Sequence, residues 1–164
     1  MIAFTDVHYT DNSALAACVV ASDWADEKPF TSVTARVSPI AEYEPGAFYK
    51  RELPCLLAVL ERAPKFTHVV IDGYVWLDNA QTPGLGAHLH TALGRKIPVI
   101  GIAKTAFRGS EMALRLERPG TEKPLFVTSI GITSEQALQH LQRLHGPYRI
   151  PTMLKLVDQL SRTG

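Results

Sequence analysis

Hydrophobic and polar residues follow two different periods along the chain, and the change comes near residue 46. Before it, three apolar runs predict strands at residues 2–7, 14–21 and 31–37. Polar, turn-forming residues separate these runs. Short connections between consecutive strands are typical of an antiparallel meander, so we expect one here.

After residue 46 the apolar residues recur at helical spacing. They predict an amphipathic helix that ends near residues 62–64, through Phe48, Leu53, Leu56, Leu57 and Leu60. Pro54 lies inside this pattern. We therefore expect either a kink at Pro54 or a helix whose first turn starts only about there.

The rest of the chain alternates strands and helices. The pattern predicts strands at 68–71, 99–102 and 125–129, and helices at about 85–93, 134–145 and 152–162. Ser134 is the expected N-cap of the middle helix. A meander followed by strand–helix crossovers predicts an α/β fold, a mixed sheet with helices packed on it. The ribonuclease-H-like architecture has this layout, and we expect residues 1–164 to form a single domain of that kind.

Composition narrows the class of protein. The 164 residues are 46% hydrophobic and 20% charged, which suits a chain with a sizeable core. No apolar run reaches the roughly 20 residues that span a bilayer, and the N-terminus lacks the pattern of a secretory signal, so we expect a cytoplasmic protein. Cys18 and Cys55 lie in apolar stretches and are expected to be buried free thiols.

Charge is uneven along the chain, although the formal net charge is only +1. Between Arg95 and Arg118 six basic residues stand against two acidic ones. Such a segment could follow a phosphate backbone. On charge alone, however, an ordinary solvated surface is the favoured interpretation.

Two aspartates stand at the ends of predicted strands. Asp6 follows the apolar stretch 1–5, and Asp72 follows the run 69–71. In the expected topology these strands are neighbours, and two carboxylates that close raise each other's pKa unless a cation lies between them. Oxygen ligands of this kind suit Mg²⁺, which can activate a water for attack on a phosphate. For either aspartate alone, a solvated residue at a strand end or turn is the simpler interpretation.

Three further residues could extend such a site. Glu52 lies on the helix after residue 46 and can reach the strand ends, or it is an exposed glutamate paired with Arg51 or a lysine. Asp158, in the last helix, is similarly ambiguous. Lys104 follows the strand at 99–102, where it could contact a scissile phosphate or simply face solvent.

Tyr43 comes just before the turn residues Pro45 and Gly46. An exposed ring at such a tip could wedge between stacked bases. A tyrosine packed on the protein surface is the plainer alternative, and the residues alone favour it.

In their order and spacing, these segments resemble the motifs of endonuclease V, a nuclease that nicks nucleic acid near deaminated adenine. The resemblance covers nearly the whole chain. It rests on TDVHY (5–9), YEPG (43–46) with Glu52 after it, IDG (71–73), GLGAH (84–88), IPVIGIAKT (97–105), PLFVTSIG (124–131) and RIP (149–151). Counting on from RIP without a gap, Asp158 falls at the position of the family's last metal ligand.

The resemblance implies a ribonuclease-H-like fold and a catalytic metal site. Its ligands around Mg²⁺, or Mn²⁺, would be Asp6, Glu52, Asp72 and Asp158. Lys104 would lie near the scissile phosphate. Cleavage would fall one nucleotide 3′ of the lesion and leave 3′-hydroxyl and 5′-phosphate ends.

The resemblance also implies a set of nucleic-acid-binding residues: Tyr43, Pro45, Gly46, Gly73, Gly101 and His88. Tyr43 would be the wedge that separates the strands. Main-chain groups near Gly73 and Gly101 would accept a flipped hypoxanthine, as enzymes that act on extruded bases do. The expected partner is DNA or RNA containing inosine, bound by a monomer.

The chain departs from the family pattern in two places. It begins almost on the first aspartate motif, which a few dozen residues precede in the family. After Gly73 the family's Gly-x-x-His-Pro-Arg is replaced by YVWLDN (74–79), so Val75 stands where a glycine would line the base pocket. We therefore expect the metal site to be retained more closely than base recognition.

Three functions compete on these grounds. The leading hypothesis is a metal-dependent endonuclease of DNA repair that hydrolyses a phosphodiester bond 3′ of deaminated adenine in DNA or RNA. A catalytically silent or substrate-altered nucleic-acid-binding relative of the same fold is the alternative. The third is a phosphoacceptor signalling domain with Asp72 phosphorylated and Lys104 assisting, which the opening meander disfavours.

Overall fold

The computed structural model describes residues 1–106, 109 and 111–164. Its strands are β1 (Ile2–Tyr9), β2 (Ala14–Ala21), β3 (Thr31–Val37), β4 (His68–Asp72), β5 (Val99–Ala103), β6 (Leu114–Leu116) and β7 (Leu125–Ile130). Its helices are α1 (Tyr49–Leu60), α2 (Leu85–Ala92), α3 (Ser134–Gln142) and α4 (Thr152–Thr163). The strands form one mixed sheet in the order β3-β2-β1-β4-β5-β7-β6.

The pairing of the strands confirms the predicted α/β layout. β1, β2 and β3 form an antiparallel meander. β4 then pairs parallel with β1, and β5 parallel with β4. β7 and β6 close the sheet with antiparallel pairs, and β6 was not predicted because three residues are too few to show an alternating pattern.

The structure corrects two local predictions and rules out one of two alternatives. β1 continues to Tyr9, because its hairpin pairing with β2 outlasts its pairing with β4. α1 begins at Tyr49, well before Pro54, so the alternative of a late start fails. The N-cap of α3 is Thr133, whose side chain accepts from the Gln136 amide in a capping box, and not Ser134.

Both faces of the sheet are covered. Even-numbered residues of β1, such as Phe4, pack into a core beneath α3 and α4, whereas Ala3 joins a second core beneath α1 and α2. Cys18 and Cys55 lie in the second core as buried free thiols, as predicted. Within the described residues, no helix is both long and apolar enough to cross a membrane.

On the face that carries Phe4, α3 and α4 cover different strands. α4 packs on β1 and β2, and α3 packs on β6 and β7. The middle strands β4 and β5 therefore reach the carboxyl edge of the sheet between the two helices. Their ends are where the predicted acidic residues lie.

Candidate active site

Parallel pairing places Asp6 and Asp72 side by side. Thr5 is in register with Ile71, so the next residue of each strand is an aspartate. Residues in register on adjacent parallel strands point to the same face, with the strands about 4.8 Å apart. Asp72 ends β4 as predicted, but Asp6 lies inside β1, at the point where its pairing with β4 stops. Loss of that pairing opens the sheet beside both carboxylates.

Asp6 is held by the last helix. Ser161 Oγ lies 2.7 Å from Asp6 Oδ2 and donates to it. Burial raises the pKa of Asp6, the Ser161 hydrogen bond lowers it in part, and the charges of Asp72 and Asp158 raise it further. The protein therefore holds Asp6 in a fixed place while leaving its negative charge poorly compensated.

Asp158 approaches from α4, on the same face of the sheet. It forms an i,i+4 ion pair with Arg162, whose Nη2 lies 3.1 Å from Asp158 Oδ1. Ser161 and Arg162 were not singled out from the sequence. Their spacing from Asp158 is the helical spacing of neighbouring side chains, which is the signal that could have found them.

Glu52 is buried, with 8% of the residue exposed, so the interpretation as an exposed helical glutamate is wrong. Burial, followed by the charges of Asp6 and Asp72, raises its pKa to about 8. A carboxyl group in this position is held mostly neutral unless positive charge arrives to stabilise its ionised form. Glu52 thus belongs electrostatically with the two strand aspartates, although it comes from the opposite face.

Lys104 forms an ion pair with Asp72. Its Nζ lies 3.8 Å from Asp72 Oδ2. Burial raises the pKa of Asp72, Lys104 lowers it and Asp158 raises it. The Asp72 side chain keeps 51% of its surface exposed, so water screens its charge more than that of Glu52.

The main chain that carries Lys104 is held on both sides. Arg149 Nη2 donates to the Lys104 carbonyl and, at 3.0 Å, to the Pro124 carbonyl. The Tyr74 hydroxyl donates to the Thr105 carbonyl at 2.8 Å. Sequence reasoning gave Arg149 no role of its own and missed that of Tyr74, because partners so distant along the chain leave no local pattern.

The surroundings of Glu52 contain polar atoms that lack partners. Within the described part of the chain, the Tyr9 hydroxyl and Arg51 Nε are buried without a hydrogen bond. The Arg51 guanidinium lies 4.3 Å from the centre of the Tyr9 ring. Burial, followed by the charge of Glu52, raises the pKa of Tyr9, so its hydroxyl stays protonated beside that carboxyl group.

The donor chemistry of the acidic residues fits a hard divalent cation. Carboxylate oxygens with raised pKa values are stabilised when such an ion neutralises them. The arrangement is nevertheless open: among the described residues, no group of three or more His, Cys, Asp or Glu is placed so as to hold a metal ion. The side chains would therefore have to draw together around a cation.

A cleft of about 370 Å³ joins most of these groups. Asp6, Asp72, Asp158 and Lys104 are among the residues that line it, whereas Glu52 is not. The structure therefore brings together four of the five predicted catalytic residues in one cavity. The remaining one is connected to them through its electrostatic interaction with Asp6 and Asp72.

Tyr43 stands at the predicted turn and is 60% exposed, so the interpretation as a packed tyrosine is not supported. The Ala47 amide donates to the Glu44 carbonyl across Pro45 and Gly46. Gly46 has a φ of +78°, which a type II turn requires at this position. The turn holds the aromatic ring outside the core, just before α1.

Gly73 and Gly101 touch each other on the opposite face from the cleft. A Cβ on Gly101 would lie 2.4 Å from the Gly73 carbonyl oxygen and 2.8 Å from Thr128 Oγ1. The Gly73 amide donates to the Ile102 carbonyl, and the Val75 amide donates to Thr128 Oγ1. Val75 is fully buried. The main-chain amides near Gly73 thus form hydrogen bonds within the protein.

His88 stacks on the ring of Tyr49, with centroids 3.6 Å apart. Burial lowers the pKa of His88. This pair joins the start of α1 to α2 and lies on the Gly101 side of the sheet. Arg108, one of the six basic residues singled out from the sequence, lies outside the described residues.

Comparison with known proteins identifies the family. The sequence profile of endonuclease V matches residues 1–128, which contain Asp6, Glu52, Asp72 and Lys104 but not Asp158. Endonuclease V of Streptomyces avermitilis is 31% identical over 180 aligned residues, covering 96% of this chain and 77% of that protein. The chain belongs to the endonuclease V family. It is therefore an endonuclease, as the sequence motifs predicted.

Solved endonuclease V structures share the fold. The crystal structure of the Streptomyces avermitilis protein superposes with a TM-score of 0.79 at 27% identity, over 98% of this chain and 79% of that one. Endonuclease V of Ciona intestinalis, in complex with a 24mer DNA containing an inosine followed by a ribo-adenosine, gives 0.81 at 19% identity, over 98% and 84%. The ribonuclease-H-like architecture expected from the strand order is confirmed.

Proposed function

We propose that this endonuclease V family member is a metal-dependent phosphodiesterase whose site is the acidic cleft at the carboxyl edge of β1 and β4. One observation carries the proposal: Asp6, Glu52, Asp72 and Asp158 converge from four separate elements, and three of them have raised pKa values. Burying like charges together is unfavourable unless a cation offsets them. A structural role alone would not explain that arrangement.

Mg²⁺ suits these ligands best, with Mn²⁺ as the alternative. Asp6, Glu52, Asp72 and Asp158 would hold it. When bound, the ion supplies positive charge and Lewis acidity toward a phosphate oxygen. Lys104 would contact the scissile phosphate, and the Arg149 and Tyr74 hydrogen bonds would keep its main chain in place during the reaction.

The substrate we propose is DNA or RNA containing inosine, cut 3′ of the lesion with a 5′-phosphate left on the product. The complex of the Ciona intestinalis protein with inosine-containing DNA supports this class of ligand. Tyr43 would wedge between the strands, which its exposed position at the turn allows. We further propose that the enzyme acts as a monomer in the cytoplasm.

A second candidate is a family member with altered base preference. The burial of Val75 and the contact between Gly73 and Gly101 favour it, because these groups fill the place where a flipped base would be read. In that case cleavage would persist while the preference for inosine over adenosine would be small. The same assay separates the two candidates.

The test is incubation with DNA and RNA oligonucleotides carrying a single inosine, beside matched adenosine oligonucleotides, with Mg²⁺ or Mn²⁺. We expect a nick 3′ of inosine that is lost in Asp72→Asn and retained in Asp11→Asn, which changes an exposed aspartate of the β1–β2 turn. Cleavage that survives chelation, or that is unaffected in Asp72→Asn, would contradict the metal-carboxylate mechanism. Equal cleavage of inosine and adenosine strands would favour altered preference.

A further inference from the structure

We infer that the apolar half of the acidic cleft is a subsite for the base of the nucleotide on the 3′ side of the scissile phosphate. This inference rests on the proposed nuclease function and adds a ligand contact to it. Besides the carboxylates, the cleft is lined by the buried or half-buried apolar residues Ile102, Leu125, Ile150, Leu154 and Val157. At about 370 Å³ the cavity falls within the size range of small-molecule pockets.

The position of this cavity follows from the packing of the helices. α4 covers β1 and β2, and α3 covers β6 and β7, so neither helix closes the space above the ends of β4 and β5. Most of the accessible surface of this cavity is apolar, which favours an apolar or aromatic occupant. A flat, weakly polar group entering it would gain contact with every wall.

Tyr148 provides an aromatic platform at the mouth of the cavity. It is 68% exposed, the most exposed of the large hydrophobic residues in the described part of the chain. Its main chain is nevertheless fixed, because the buried Arg118 donates from Nε to the Tyr148 carbonyl and from Nη1 to the Leu144 carbonyl. Arg118 Nη2 donates to the Gly146 carbonyl as well. An exposed ring on an anchored loop is suited to stacking on a base.

Positive charge lies where the sugar-phosphate backbone would pass. Lys104 and Lys155 line the same cavity as Tyr148. Within the described residues Lys155 forms no ion pair, and the ammonium group of Lys104 forms an ion pair only with Asp72. A nucleotide with its base in the cavity could thus place its phosphates between two lysines and the acidic edge.

The two faces of the sheet determine which nucleotide enters. Gly101 faces α2, and its neighbour Ile102 faces the cleft, because successive residues of a strand point to opposite faces. If the lesion is bound on the Gly101 side, a strand crossing the carboxylates presents its following nucleotides to the cleft. The apolar walls offer no hydrogen-bond pattern that could distinguish bases, so the subsite should accept any of them.

Binding measurements test this directly. Fluorescence anisotropy with labelled single-stranded inosine oligonucleotides in the cleavage-deficient Asp72→Asn background, with Mg²⁺, gives Kd without turnover. An abasic residue is placed in turn at each position 3′ of inosine. We expect one position, next to the scissile phosphate, to weaken binding about tenfold. Exchanging the base there among the four natural ones should change Kd by less than about threefold.

Substituting Tyr148 should abolish the loss of affinity that the abasic residue causes at that one position. In Tyr148→Ala, intact oligonucleotides should bind about tenfold more weakly, and the abasic residue should cost nothing further, because both changes delete one stacking contact. Tyr148→Phe keeps the ring and should restore the wild-type pattern. The matched control is Phe30→Ala. Phe30 is an aromatic residue with 60% exposure at the opposite edge of the sheet, so this variant should show the same loss of affinity at the abasic position as the wild type.

Three outcomes would overturn the inference: no position that differs from its neighbours, a position effect that persists in Tyr148→Ala, or no measurable binding of any oligonucleotide. A parallel series with adenosine in place of inosine separates this result from the proposed function. If the position effect remains there while inosine preference is absent, the subsite stands and only the lesion specificity fails. If inosine is preferred but no position responds, only the subsite fails.

Discussion

Asp72 and Val75 lie three residues apart in one segment, yet the side chain of Asp72 is half exposed and that of Val75 is buried. Asp72 is half exposed in the cleft, faces two other carboxylates, and has a raised pKa. Val75 is fully buried, and a Cβ added to Gly86 would lie only 2.5 Å from its methyl group. The first side chain is available to a ligand, and the second is used by the protein for its own packing.

The difference indicates that the proposed metal site and the proposed base-reading surface depend on different contacts. The position of Asp72 beside Asp6 depends on the register of β4 against β1. The segment after it depends on particular long-range contacts, such as those from Tyr74 to Thr105 and from Asn79 to Glu111. A family member can therefore keep its acidic edge while the neighbouring surface changes.

The largest expected effect comes from removing charge at the acidic edge. Asp6→Asn should lower kcat by about 10³-fold or more, because it removes a proposed cation ligand. The matched change Asp78→Asn, beyond Val75, removes only a contact to Thr82 within its own turn and should alter kcat by less than about threefold. Single-turnover cleavage measures both. Equal losses would remove the distinction between the two regions.

Glu52 should make the cation-free protein less stable as the pH rises. Its pKa is raised from 4.5 to about 8, so the folded state binds the proton more tightly than the unfolded state. The stabilising contribution is complete below the ordinary value and is lost as the pH rises through about 8, by a few kcal/mol. Urea unfolding in chelator should show this fall in stability.

In Glu52→Gln the fall should be much smaller, whereas the exposed control Glu42→Gln should behave as wild type. Added Mg²⁺ should restore wild-type stability at high pH, because a ligand that binds only the folded state stabilises it. A wild-type stability that rises across this range would contradict the burial of Glu52.

Val75→Gly tests whether packing closes the base-reading side. Removing a fully buried valine should lower the free energy of unfolding by about 2–3 kcal/mol. If the space becomes available to a base, the cleavage ratio of inosine to adenosine strands should rise about tenfold. Val20→Gly, a fully buried position near the end of β2, should destabilise similarly and leave that ratio unchanged. A rise in both variants would point to general loosening.

The smallest effect is expected from Tyr74→Phe. Losing the hydroxyl donor to the Thr105 carbonyl should cost about 1 kcal/mol of stability. Lys104 would be held less firmly, so kcat should fall a few-fold while KM stays near wild type. Steady-state kinetics separates the two constants, and a change confined to KM would argue against a positioning role.

Much of the fold could be predicted from hydrophobic periodicity and the order of the strands. The meander, the parallel placement of β4 beside β1 and the positions of the helices could be predicted from residues near one another in sequence. The pairing of Asp6 with Asp72 followed as well, since adjacent parallel strands bring their carboxyl ends together. The short β6 was missed because three residues are too few to show an alternating pattern, and the extension of β1 was missed because its hairpin pairing with β2 continues past the apolar run.

The sequence by itself determined which residue types stand at the strand ends and which motifs they resemble. Only the tertiary structure decided the burial of Glu52, the Ser161 contact to Asp6 and the fixing of Lys104 by Arg149 and Tyr74. Hydrophobic patterning specifies a face of a helix or strand, which is a local property. Burial, charge repulsion and hydrogen bonds between distant residues arise only when several such faces meet, and they set the pKa values on which the proposed chemistry depends.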